Sequence, residues 1–278
     1  TSLAPTSGTG ISIQSSSNNT FINLSAISTS SYGFYILSSS NNTFINSTGT
    51  SLTSGGSGIY LQSSPNNTVI NSIGTSLTSG AGIYLYLCSN NSLINSTGIS
   101  NSSVGIYLQS SPNNAIINST AISNSSSGIS FIINSNYNAI INSIGISNSS
   151  YGISLSASSN NTFINSTAIS NSSNGIYLFS GSSNNLFINC VNSINSSNST
   201  QRMYSNSAQN TSSYGNTGWW PLFASNGSDA TVLANTAWYN GTLGGKNANG
   251  SVNSSLKYWY NNQVSVSVQI QSPANITY

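Results

Sequence analysis

Only four side chains in this 278-residue chain carry a formal charge at neutral pH, Arg202, Asp229, Lys246 and Lys257, and histidine is absent. General acid–base catalysis, nucleophile activation and most metal sites draw on those residue types. All four lie beyond residue 200, so the first 200 residues lack the usual materials of an active site. No catalytic, cofactor-binding or metal-ligating residue is therefore assigned, and the chain reads as a non-enzymatic protein needing no cofactor. The chemistry that remains belongs to amides, hydroxyls and phenols. Asn-x-Ser/Thr acceptor sites for N-glycans abound. Those in turns, Asn41, Asn101, Asn148 and Asn171, and those further on, Asn226, Asn240, Asn253 and Asn275, are candidate glycosylation sites.

Charge also limits partners. A net charge of +2 offers no cluster of Lys and Arg to displace counterions from phosphates or to hold an anionic membrane. Nucleic acid is excluded on that ground. No apolar run reaches the length of a membrane span, and no charged segment followed by an apolar stretch opens the chain, the pattern of a mature form. Ser/Asn-rich composition would ordinarily point to disorder, but 36% hydrophobic residues at regular spacing point to a fold.

The elements that must position these groups come from an internal repeat. NNTFIN, NNTVIN, NNSLIN, NNAIIN, YNAIIN and NNLFIN recur with anchors at Asn19, Asn42, Asn67, Asn91, Asn114, Asn138, Asn161 and Asn185, a period of 23 to 25 residues. A period of that size means a solenoid. Each unit also holds a glycine followed by an alternating apolar segment, GIYL in its commonest form, and a third short segment such as AISN. Period-two alternation rich in Ile, Tyr and Leu reads as strand, and no window has the 3.6-residue period of a helix. Three strands per coil over eight coils predict a rod about 38 Å long at the spacing of stacked strands.

Asn23, Asn46, Asn71, Asn95, Asn118, Asn142, Asn165 and Asn189 recur at the end of the TFIN segment. If Phe21 and its equivalents point inward, alternation carries these asparagines inward too, where their amides would form a structural ladder along the rod. The sequons at Asn46 and Asn95 would then be buried and unmodified. The same choice sends Ile22, Ile45, Ile70, Ile94 and their successors outward as an apolar ridge; the opposite choice exposes the Phe row instead. Either ridge is larger than a monomer's surface tolerates, so association with other subunits or cover by the C-terminal segment must account for it. In GIYL the tyrosines face outward, Tyr35, Tyr60, Tyr84, Tyr107 and Tyr177, interrupted by Ser12, Ser130 and Ser154. They either pair across strands or stack on sugar rings. Flat Thr/Ser rows could bind ice, but Thr20, Thr43, Thr68, Ser92 and Ala115 do not keep the row regular.

This pattern resembles the right-handed parallel β-helix superfamily, the architecture of pectate lyases and polygalacturonases, over about residues 8–200. It is most similar to the Asn-rich NNT-I-N repeats of periplasmic copper-maturation-type β-helix proteins and archaeal surface proteins. The resemblance implies fold alone, because the Asp clusters and basic residues used by its enzymes are missing from the coils, and for a copper site the chain has no His and only one Met, Met203. The expected architecture is all-β, a right-handed parallel β-helix over 1–200 followed by a small antiparallel, sandwich-like β domain over 201–278. That domain would cap one end of the rod and holds all four Trp. Cys88 and Cys190 lie four coils apart, too far for a disulfide, and both read as small buried hydrophobes. The functional reading is an extracellular, cell-surface structural protein that assembles head to tail with copies of itself into a filament, sheath or S-layer-like array. A monomeric adhesin or a module that binds surface polysaccharide is the alternative.

Overall fold

In the computed structural model the backbone is described for residues 2–4, 8–53, 55–188 and 190–194, and for six short strands beyond. Eight coils of three strands each fill the region from Ile11 to Ile194, and no helix occurs among the described residues. One coil illustrates all: Ile83–Tyr86 belongs to a first sheet, Ser92–Ile94 to a second and Thr97–Ser100 to a third. Each strand pairs in parallel with its equivalents one coil below and one above, in a register that matches like with like. Tyr84 lies against Tyr60 and Tyr107, Leu93 against Val69 and Ile116, and Thr97 against Ile73 and Thr120. The short strands fit the sequence because each holds one alternation of in and out before a turn residue ends it. The turns are taken largely by Asn and Ser at positive φ. Asn tolerates that left-handed backbone with little strain, since its short polar side chain bonds locally.

The core is a stack of apolar layers. The first strand supplies two inward residues per coil, such as Ile83 and Leu85, and the second supplies one, such as Leu93, Phe163 or Phe187. The third strand buries a serine, such as Ser76 or Ser100, and, where it passes the first strand, Gly or Ala, for example Gly74, Gly98 and Ala121. It runs so close to the first strand there that nothing larger fits. A Cβ on Gly58 would lie 2.1 Å from the Thr75 backbone nitrogen, and one on Gly82 2.2 Å from that of Ile99. The glycine that opens each GIYL segment therefore answers to a pinch between two sheets.

Of residues 201–278, only the backbones of Met203–Asn206, Thr211–Tyr214, Thr217–Gly218, Phe223–Ser225, Ala230–Leu233 and Trp259–Tyr260 are described, and each pairs in parallel with the strand before it in its sheet. The antiparallel domain expected there lies outside the described residues.

Candidate binding faces and the polar ladders

The asparagine ladder exists, but it is built from the other asparagine of the repeat. Asn42, Asn67, Asn91, Asn114, Asn138, Asn161 and Asn185 are buried, and Asn23, Asn46, Asn71, Asn95, Asn118, Asn142 and Asn165 are exposed. The correction has a backbone cause. Asn23 has φ 55° and Asn46 φ 52°, so the strand has already turned a corner at this residue and alternation no longer applies. The next residue, not the asparagine, re-enters the interior. Asn46 and Asn95, expected to be buried, are accordingly open to solvent. Asn189 lies outside the described residues.

Within the true ladder each backbone N–H donates to the side-chain Oδ1 one coil above. Asn67 donates to Asn91 at 2.7 Å, Asn91 to Asn114 at 2.8 Å and Asn114 to Asn138 at 2.7 Å. The amide nitrogen is also engaged: Asn114 Nδ2 donates to the carbonyls of Cys88 and Ser111 at 3.0 and 2.9 Å. Two serine ladders run beside it. Ser47, Ser72, Ser96, Ser119 and Ser143 each donate a backbone N–H to the hydroxyl of the next coil at 3.0 to 3.2 Å. A second column holds Ser39, Ser64, Ser111, Ser135, Ser158 and Ser182. Cys88 occupies one rung of that column, accepting from the Ser64 N–H at 3.3 Å and donating its own N–H to Ser111 at 3.0 Å. Cys190 likewise follows Ser166. Both thiols are free and buried, and burial pushes each up to about 11. The serine ladders were not anticipated, although the Ser after each TFIN asparagine was there to read.

Outside, the first sheet carries the tyrosines. Tyr35, Tyr60, Tyr84 and Tyr107 stack face to face along the rod, with centroids 5.4, 4.8 and 4.8 Å apart and planes within 17°. Tyr32, from the preceding turn, joins at 4.7 Å from Tyr60. The Tyr35 hydroxyl donates to Gln62 at 2.8 Å, and that of Tyr84 donates to Gln109. Burial, and then the neighbouring phenols, raise the ionisation of Tyr60 and Tyr84 well above the ordinary value. Tyr177 is not part of this stack; it pairs with Tyr151 at 4.2 Å, beyond Ser130 and Ser154, whose hydroxyls bond each other at 3.0 Å.

The second sheet presents the isoleucine column. Phe44, Val69 and Leu93 face in, and Ile22, Ile45, Ile70 and Ile94 face out, Ile22 by 54% and the others partly screened by their neighbours up and down the column. On the third sheet Ile99, Ile122 and Ile146 line a groove of about 470 Å³ whose rim is Asn101, Asn124, Asn148 and Asn171. Of the candidate glycosylation sites, Asn41, Asn101, Asn148 and Asn171 are exposed, whereas Asn226, Asn240, Asn253 and Asn275 lie outside the described residues.

Several solved structures show a distant likeness to this chain. The mannuronan C-5 epimerase AlgE4 A-module of Azotobacter vinelandii is 12% identical, over 82% of this chain and 73% of that one, with a TM-score of 0.48. A tailspike, gp61 of Pseudomonas phage phi297, is 11% identical over 78% and 46%, at 0.37. Pectate lyase Pel9A is 16% identical over 88% and 62%, at 0.36. At these values none of the three likenesses carries an argument about this chain. No curated protein matches by sequence. The family model "Right handed beta helix region" matches residues 9–144 and 49–192. With three parallel sheets stacked coil upon coil, the chain belongs to the right-handed β-helix family.

Proposed function

We propose that this protein is a non-catalytic, extracellular structural rod that associates with copies of itself through the outer face of its second and third sheets. The observation that carries this reading is the isoleucine column, present in all eight coils and set outward at strand spacing. Soluble surfaces ordinarily carry charges of both signs that keep copies of a protein apart. Here residues 1–200 contain none, so nothing opposes a second rod with the same row of knobs and gaps. The non-catalytic reading is supported by the same composition. The titratable side chains within the coils are tyrosines and two buried cysteines, and burial makes both cysteines and the central tyrosines poorer proton donors at neutral pH.

Sugar binding by the tyrosine stripe has less support. Along Tyr35–Tyr107 the ring faces cover one another, leaving edges and hydroxyls for a ligand rather than the open faces on which a sugar stacks.

Light scattering and electron microscopy of the purified chain at neutral pH test the proposal. Filaments or sheets are expected, and replacing Ile45, Ile70 and Ile94 together with Lys is expected to leave a folded monomer. A wild-type chain that stays monomeric up to high concentration sinks the reading.

A further inference from the structure

The exposed asparagines at the rim of the third-sheet groove form a ladder of their own, and its hydrogen bonds have a direction. Asn124 Nδ2 donates to Asn101 Oδ1 at 3.3 Å, Asn148 Nδ2 to Asn124 Oδ1 at 3.0 Å, and Asn171 Nδ2 to Asn148 Oδ1 at 2.9 Å. The serine after each upper asparagine ties the turn to the coil below: Ser125, Ser149 and Ser172 hydroxyls donate to the backbone carbonyls of Asn101, Asn124 and Asn148 at 3.0, 2.8 and 3.0 Å. Below Asn101 the pattern ends. The coil beneath has Leu77 at the equivalent position, and no hydrogen bond engages Asn101 Nδ2 among the described residues. All four asparagines stand in Asn-Ser-Ser acceptor sequences.

We infer that this ladder directs N-glycosylation of the folded chain to Asn101 and withholds it from Asn124 and Asn148. In the transfer, Asn Nδ2 forms a bond to the anomeric carbon of a polyprenyl-phosphate-linked oligosaccharide. The carbon–oxygen bond to phosphate breaks, and one Nδ2 proton leaves as the lipid phosphate departs. The amide must turn out of conjugation to do so, which a rung held by its neighbour's oxygen resists and the end rung does not. Crowding acts in the same sense. Rungs stacked about 4.8 Å apart leave no width for sugars on adjacent coils. A sugar on Asn101 has the apolar groove over Ile122 and Ile146 beside it. This inference does not depend on self-association of the rod.

The test is in vitro glycosylation of the purified, folded, unmodified chain with an oligosaccharyltransferase and its lipid-linked donor, read by peptide mass spectrometry. Occupancy at Asn101 is expected to exceed that at Asn124 and Asn148 by about twofold or more, the weight of one solvent-exposed hydrogen bond. Asn101→Ala frees the amide above and should move the glycan to Asn124, whereas Asn124→Ala should leave Asn101 occupied and open Asn148. Circular dichroism confirms that each variant is folded. Equal occupancy along the ladder, an Asn101→Ala chain left bare at Asn124, or no glycan on any of the four overturns the inference.

Discussion

The two asparagine ladders run along the same rod with the same spacing and the same amide chemistry, yet they differ in what surrounds them. In the inner one, the Asn114 side chain is buried and bonds the backbone of its own coil and of the coil below, and the Asn138 amide of the coil above. In the outer one, the Asn148 side chain reaches only the next amides of its column, and water can replace each of those bonds. Hydrogen-bond strength is similar in the two; the cost of losing a partner is not. A buried N–H or C=O left alone forfeits its desolvation energy, whereas an exposed one turns to solvent.

Substitution should separate the ladders widely. Asn114→Ala leaves the Asn91 N–H and the Cys88 and Ser111 carbonyls without that partner, and is expected to cost on the order of 3 kcal/mol in urea unfolding. A loss below a third of that would mean the inner ladder is no stronger than the outer. Alkali gives the next largest effect, and acid almost none. Tyr32, Tyr60, Tyr84 and Tyr107 all ionise above the usual value of 10 in the fold, because burial disfavours the phenolate. Their contribution is thus complete below pH 10 and is lost as pH climbs from there toward the folded values. The melting temperature should hold nearly constant from pH 2 to 8 and fall above pH 10; a fall of tens of degrees in acid contradicts this. Smallest is Asn148→Ala, expected to change stability by less than about 0.5 kcal/mol. A larger loss would show that the outer ladder is structural as well.

How far the sequence alone could reach follows from these same residues. The solenoid and its three strands per coil were legible, because a 24-residue recurrence and period-two alternation both survive into the structure; alternation alone left open whether the Phe or the Ile row faced out, and the burial of Phe44, Val69 and Leu93 decides it. The identity of the ladder asparagine was not. Asn42 and Asn46 recur equally often, and inward direction depends on where alternation stops, which is set by a left-handed φ at Asn46. Counting by twos through that corner points the wrong asparagine inward. The roles of Cys88 and Cys190 were half legible. Burial was expected of both, but their place in serine columns emerges only when Ser64 and Ser111 are set above and below Cys88. The stacking of Tyr faces was likewise hidden, since alternation places side chains outside without fixing how rings turn.

Coils so alike that every strand meets its counterpart residue for residue also bear on how the chain finds its structure. A strand that pairs one coil too early or too late still meets Tyr with Tyr, Ile with Ile and Asn with Asn, so the misplaced state lies close in energy to the native one. The irregular rungs distinguish them, among them Cys88 in a serine column, Ser130 and Ser154 among tyrosines, Ile73 and Ile144 among threonines, and Pro65 and Pro112 in turns. The departures from the repeat are what tell each coil its number during folding.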